Sequence, residues 1–464
     1  MAKLSNLLPF SLLIFTILHH VTSSFTPLDN YLINCGPPLF TILDSYNREF
    51  TSDESPLPDS VKLSSTRTIP LTELTTPSGR LYNSARIFVE PSGYSFKINQ
   101  KGTHLIRLHF HRLNFEKFDG KIAKFHVLAD GYLLLNEFSL LNLKNDVEIH
   151  EFVLLIDCDY LELLFVPVGK TSFGFVSAIE VVSAPKDLIL DIAEGVNANG
   201  VSKINGMVKN GFETLFRVNV GGPKITPFND TLWRTWVPDN EFLKSSVESK
   251  EVHFSGRIKY QVGGASREVA PDHVYGSARV MAGIDGLNAS DSKDRLSWAF
   301  PVVGGYKYLV RVHFCDIVSR TLGSLYFNVY VNGILAYENL DLSALTNSLA
   351  SPYYIDLVVD GGDSGVITVS VGSSALGVNA ILNGVEVFKM SNAMKSFDGM
   401  VSAETVLRSC QGRTGFPLVF AIAIGVLLAV SLLLRKILVK VQDNVAWSRL
   451  PVDISEVALK SSYQ

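Results

Sequence analysis

The sequence predicts an all-β fold, two tandem jelly-roll β-sandwiches followed by one transmembrane helix. Three observations carry that expectation: landmarks that occur twice, alternation of apolar and polar residues around them, and a charge-free stretch near the end of the chain. Asn34-Cys35-Gly36 returns as Asn219-Val220-Gly221, and Tyr82-Asn83-Ser84-Ala85-Arg86 returns as Tyr275-Gly276-Ser277-Ala278-Arg279. His104 to Phe110 returns as Tyr308 to Phe314, and Ala178-Ile179-Glu180-Val181 as Gly384-Val385-Glu386-Val387. Solenoid and propeller repeats recur every 20–50 residues or so, roughly. The longer spacing here is that of whole domains.

Along the chain, residues 1–24 read as a secretory signal peptide: Lys3, an apolar run from Leu7 to Leu18, then the small residues Thr22, Ser23 and Ser24. The first sandwich is expected over 25–185. There Ile106, Leu108 and Phe110 face one way and Arg107, His109 and His111 the other, the period-two signature of a strand. Asp130-Gly131 within Ala123 to Leu135, and Asn332-Gly333 within Ser324 to Tyr337, are dipeptides that accept positive φ and so close two-residue hairpins. Leu154 to Val166 and Tyr354 to Val371 read as further strands, the second folded into a hairpin at Asp360 to Gly365. Residues 186–211 form a packed connector, with a short helix expected at Leu188 to Val196. The second sandwich spans 212–390, where Val310, Val312 and Phe314 repeat the apolar stripe opposite Arg311, His313 and Cys315. Residues 391–415 are expected to form a juxtamembrane stalk. Phe416 to Leu434 carries no charge and, at roughly 1.5 Å per residue, reaches about 28 Å as a helix, enough to cross a bilayer. Arg435, Lys436 and Lys440 place the 435–464 tail in the cytoplasm, which gives a single-pass type I topology.

Formal net charge is −4, which gives no electrostatic case for nucleic acid. Four cysteines are few for an exported chain of this length, so the domains rest on their cores. Cys35 and Cys158 share the first copy and can pair; the connectivity among Cys35, Cys158, Cys315 and Cys410 stays open. Asn229 and Asn288 head N-glycosylation sequons.

Catalytic and metal signals are weaker. His109 and His111 share a strand face, with His126 or Glu116 as a third ligand, but the second copy offers only His313 beside Cys315, so a hydrogen-bonded or solvated histidine is the better reading. Asp360 to Gly365 lacks the terminal glutamate of a calcium loop. Gly169-Lys170-Thr171 lacks the first glycine of a phosphate loop, since Leu164 stands there. No pair of carboxylates is singled out for glycoside cleavage. Neither metal nor cofactor is expected. For ligand binding, Tyr82 with Arg86 and Tyr275 with Arg279 combine an aromatic surface with a polar group; the alternative is a shared scaffold, with the arginine tied beneath a strand. Trp233, Trp236 and Trp298 occur only in the second copy, either in its core or along a cleft between domains.

The opening Asn30 to Gly36, together with Glu213 to Gly222, Ile225-Thr226-Pro227, Asn229 to Leu232 and Arg234-Thr235-Trp236, resembles the ectodomains of plant malectin-like receptor kinases of the FERONIA and THESEUS class. The resemblance covers about Asn30 to Met390 and implies two malectin-like jelly rolls outside the cell. It also implies RALF-type secreted peptides and GPI-anchored co-receptors as partners, and a link to cell-wall pectin. The chain departs from that family in showing no kinase motifs: Phe118-Asp119-Gly120 and His111-Arg112-Leu113 are fragments in the exported half. Trp447 to Pro451 resembles the start of the family's cytoplasmic segment. The expectation is therefore a receptor-like protein without its own kinase, a truncated product or a gene read short, acting as co-receptor or decoy. The alternatives are a passive pectin-binding adhesion protein and, more remotely, a carbohydrate-active enzyme.

Overall fold

The alternating segments build sheets that run through both copies. The computed structural model describes residues 25–411 apart from 38–40, 55–59, 66, 73–78, 113–121, 140, 142–144, 245–247, 282–294, 363 and 376–378. The expected signal peptide, the Phe416–Leu434 span and Asn288 lie outside the described residues. Among those described, no helix is long and apolar enough to cross a membrane. The chain divides into two compact units, Met1–Glu404 and Thr405–Gln464. Only the first is described at length; of the second, the end of the helix Ala403–Gln411 is described.

One sheet dominates the first unit. Its strand order is Gly200–Asn205, Ile192–Asn197, Pro352–Asp360, Lys307–Cys315, Gly384–Met390, Phe212–Asn219, Val147–Ile156, Gly102–His111, Ala178–Ser183, Asn30–Asn34, Glu49–Ser52 and Thr41–Leu43. Val237–Pro238 pairs beside Phe212–Asn219. Smaller sheets close each sandwich: a five-stranded and a three-stranded one over the first copy, a four-stranded and a three-stranded one over the second. Two separate hydrophobic cores result. Ile106, Leu108 and Phe110 lie in one, and Val310, Val312 and Phe314 in the other.

The copies meet edge to edge. Glu151, Phe152 and Val153 pair antiparallel with Thr214, Glu213 and Phe212. The joint is head to tail, since Val147–Ile156 of the first copy meets Phe212–Asn219, the second copy's counterpart of Asn30–Asn34. A third cluster lies over this joint and takes residues from both copies and the connector, among them Leu105, Val153, Leu188, Met207, Phe212, Leu232 and Phe388. It covers the sheet face that carries Arg107, so at this end the strands are buried on both sides.

The hairpin turns form where Asp-Gly and Asn-Gly allow: Asp130 and Gly131 have φ of 45° and 76°, Asn332 and Gly333 of 52° and 78°. Three expectations need correction. Leu188 to Val196 contains the strand Ile192–Asn197 rather than a helix, because a hairpin with Gly200–Asn205 extends the long sheet beside Pro352–Asp360. The turn at Asp360 to Gly365 is no hairpin: Pro352–Asp360 stays in the long sheet while Val366–Ser373 joins the opposing four-stranded one. Cys35, Cys158 and Cys315 are all free thiols.

Residues 391–399, where the stalk was expected to begin, pack back across both copies. Ser391 N–H donates to Gly211 O, Leu133 N–H to Lys395 O, and Phe397 N–H to Leu133 O. Phe397 is 1% exposed in the first core, 5.2 Å from the Phe152 ring. Gly399 N–H then donates to the Tyr306 hydroxyl of the second copy at 2.7 Å. This strap ties the two sandwiches independently of the sheet.

Candidate functional site

The repeated Arg86 and Arg279 build the loops around the site. Arg86 donates through Nε and Nη2 to both Asp53 oxygens, at 2.9 and 2.7 Å. Asp53 also accepts from Gly36 N–H and the Tyr94 hydroxyl. In the second copy Arg279 grips Asp239, which accepts from Gly221 N–H and Trp298 Nε1. Gly36 and Gly221 have φ of +96° and +66°, and a Cβ on either would fall 2.2 Å from the carbonyl oxygen of Ala85 or Ala278. Only glycine fits there, which accounts for the Asn-x-Gly landmark.

Across seven adjacent strands runs a row of charges of alternating sign. Arg48 Nη1 and Arg107 Nη1 both donate to Glu180 Oε2, at 3.0 and 2.6 Å. Arg107 Nε donates to Glu151, Arg217 bridges Glu151 and Glu386, and Arg311 forks onto Asp356. Four arginines thus face four carboxylates. Burial pushes each of Glu180, Glu151 and Glu386 toward the neutral form, but arginine neighbours outweigh it and hold all three well below the usual carboxylate range. The row crosses the joint at Glu151–Arg217, so the two copies share one buried polar network.

At two equivalent points an aromatic hydroxyl caps the row. Tyr82 Oη lies 3.0 Å from His109 Nδ1, and His109 Nε2 lies 3.0 Å from Glu180 Oε1. Tyr275, His313 and Glu386 repeat the arrangement at 3.1 and 3.2 Å. With Nε2–H donating to the ionised carboxylate, Nδ1 is the ring nitrogen placed to accept the tyrosine O–H. The relay has the outline of a catalytic triad. Its repetition at Tyr275, which is 0% exposed, marks it as scaffold. Burial pushes both tyrosine hydroxyls upward, away from any role as a base at neutral pH.

The surroundings of the two relays differ. Tyr275 is roofed by Trp236, Ile258, Ala270 and Tyr260. Tyr82 instead lines an open cleft of about 990 Å³ between the copies. From the first copy this cleft takes Asp44, Tyr46, Arg48, Arg80, Val147 and Ile149; from the second it takes Leu215, Phe216, Lys224, Trp233, Glu241 and Phe242. Trp233 has φ +56°, the left-handed region a bulky side chain rarely occupies. The Asp230 carboxylate holds that turn, accepting from Leu232 N–H and from the backbone and Nε of Arg234. The turn sets Trp233 against first-copy Phe50 and Leu81 and over Arg48, 5.9 Å from its guanidinium. Such strain, about 1–3 kcal/mol, persists where the surrounding structure imposes it and clusters at functional sites.

Of the four residues singled out from the sequence, Tyr82 lines the cleft, while Arg86, Tyr275 and Arg279 are buried in the scaffold away from it. His109 is 1% exposed and hydrogen-bonded, and among the described residues no group of three metal-ligating side chains assembles. Trp236 and Trp298 are core; Trp233 is the one that reaches the cleft. Asn229 is exposed in the turn Pro227–Asn229 at the cleft's edge. Sequence reasoning missed Asp53, Asp239, Glu151 and the two cleft cations Arg80 and Lys224. The carboxylates carried a usable signal, since each repeated arginine needed a buried counter-charge.

Two tandem β-sandwiches joined edge to edge, with an open cleft between them, are the architecture on which the comparisons bear. A profile of the malectin-like domain family matches residues 33–390, and the chain belongs to that family. An Arabidopsis thaliana protein named as a probable receptor-like protein kinase is 44% identical over 391 residues, covering 82% of this chain and 46% of its own length. Receptor-like protein kinase THESEUS 1 of Arabidopsis thaliana is 39% identical over 394 residues, covering 84% and 45%. The chain thus spans about half the length of the curated relatives it matches. The crystal structure of the plant peptide RALF23 in complex with FER and LLG2 contains a chain 28% identical, with TM-score 0.65 over 80% of this chain and 97% of that one. The ANXUR1 extracellular domain of Arabidopsis thaliana shares the fold at TM-score 0.69 and 24% identity, over 79% of this chain and 98% of that one.

Proposed function

We propose that this chain is the extracellular recognition module of a plant receptor-like protein, anchored by one span at Phe416–Leu434 and exported by the segment 1–24. It takes a secreted peptide of the RALF type together with a GPI-anchored co-receptor. The observation that carries this reading is the open cleft beside Tyr82, set between two sandwiches whose joint, polar row and strap hold its walls in place. Its likeness to the FER chain solved with RALF23 and LLG2 supports a peptide as ligand. Binding favours one arrangement or assembly of ectodomains only by its differential affinity for that state. Carbohydrate attached at Asn229, and at Asn288, would stand outside the cell with the module.

Aromatic walls with the exposed cations Arg80 and Lys224 favour a second reading, an acidic wall polysaccharide of the pectin kind held in the same cleft. Titration of the purified full chain with RALF23 and with oligogalacturonides separates the two. Saturable binding of RALF23 is the expected result; binding of oligogalacturonide alone replaces the receptor reading with wall adhesion, and release of new reducing ends would establish an enzyme instead.

A further inference from the structure

The long sheet is incomplete where the cleft opens. Val147–Ile156 and Phe212–Asn219 pair only across Glu151–Val153 and Phe212–Thr214, and then part. Val147–His150 keep their inner partners, His111 to Leu108. Among the described residues their other edge pairs with no strand. On the facing wall, pairing resumes at Val218 and Asn219 with Val237–Pro238, which leaves Leu215–Arg217 unpaired on that side. Both stretches line the cleft.

A strand edge presents a backbone N–H and C=O at every second residue, and such groups are a template for another chain. Folded proteins ordinarily blunt long edges with charge or cover. This one is recessed between two sandwiches, out of reach of a whole sheet, while a single extended chain needs only the 4.7–4.9 Å or so of inter-strand spacing. The side chains beside it are apolar on both walls: Ile149 is 49% exposed, and Leu215 and Phe216 are half-buried. At the rim, exposed Arg80 and Lys224 form no ion pair among the described residues, against the single exposed carboxylate of Glu241. A polysaccharide offers no N–H at strand spacing to pair with the edge carbonyls.

We propose that the cleft binds an extended peptide segment as an added strand along Val147–His150, with an apolar side chain seated between Ile149 and Phe216 and an acidic group at the Arg80–Lys224 rim. Four edge residues span about 13 Å, so the docked segment is four or five residues long, roughly. This rests on the peptide reading and goes further in fixing the wall, the backbone pairing and the polarity of the ligand.

The test is hydrogen–deuterium exchange of the full chain with and without saturating RALF23, beside titration of Ile149→Lys and Ile149→Val. Alternate amides within 147–150 are expected to exchange about tenfold more slowly with peptide bound, because an added strand closes their edge. Ile149→Lys weakens binding about tenfold or more, while Ile149→Val stays within about threefold. If RALF23 saturates the unmodified chain but these amides exchange unchanged and Ile149→Lys binds normally, strand addition is wrong and the peptide reading survives. If RALF23 does not bind the unmodified chain, both are lost.

Discussion

The two copies hold the same Tyr–His–Glu relay, and they differ in what lies above it. In the second, Trp236, Tyr260 and their neighbours seal Tyr275 completely. In the first, the equivalent space is occupied by Arg48, half-buried Trp233 from the other copy, and the cleft. Duplication thus left one scaffold twice, with one copy filled and one open. The lesson is that a repeated motif identifies framework, and the departure from repetition identifies the place where a ligand can enter.

Substitutions that remove the seal or the strap should cost most. Trp236→Ala deletes a fully buried ring and its Nε1–Asp230 hydrogen bond, so unfolding free energy in urea should drop by about 3–5 kcal/mol. Trp233→Gly in the open copy should cost about 1 kcal/mol, since removing the Cβ relieves the left-handed backbone and offsets lost contacts. Equal losses would remove the contrast. Phe397→Ala should match the Trp236 loss, about 3–5 kcal/mol, although it lies outside both sandwiches as the sequence delimits them.

Next in size is the dependence on pH. His150 sits on the joint, 3.3 Å from second-copy Glu213 and 3.1 Å from Glu148. Burial lowers its pKa, but the two glutamates outweigh this and raise it to about 9. Its folded value exceeds the unfolded one of about 6.5, so its contribution is complete below that pH and disappears as pH rises through 9, an effect of about 2–3 kcal/mol. Glu151, Glu180 and Glu386 act in the opposite sense: their stabilisation is present above about pH 4.5 and fades as the solution is acidified. Urea titrations at several pH values should show a plateau near pH 5 to 6.5, roughly, and His150→Gln should flatten the alkaline limb.

The smallest effect concerns one hydroxyl. Tyr275→Phe leaves a fully buried His313 nitrogen without its donor and should cost about 1–2 kcal/mol. Tyr82→Phe, beside the open cleft where water can replace the hydroxyl, should cost about 0.5 kcal/mol.

Much of the framework was visible in local pattern. Period-two alternation located Gly102–His111 and Lys307–Cys315, and Asp-Gly and Asn-Gly located two hairpins, because both signals act over a few residues. Partners far apart in sequence were not visible. Arg86 meets Asp53 from 33 residues away and Arg279 meets Asp239 from 40, through loops with no periodicity. Alternation placed Arg107 and His109 on one polar face and left open whether His109 was solvated or hydrogen-bonded, because it reports polarity and not cover; the connector, Leu232 and the second copy bury that face with its charges paired. The cleft itself arises from a joint of three residue pairs, and from a tryptophan in a conformation that no propensity would assign to it.

The open copy can be set against the sealed one in a single titration of RALF23 onto two full-length variants, each checked for an intact thermal transition. Tyr82→Ala should weaken binding about tenfold or more while Tyr275→Phe leaves it within about twofold. Equal weakening in both, or a loss confined to the Tyr275 variant, would show that recognition does not occur at the unsealed relay.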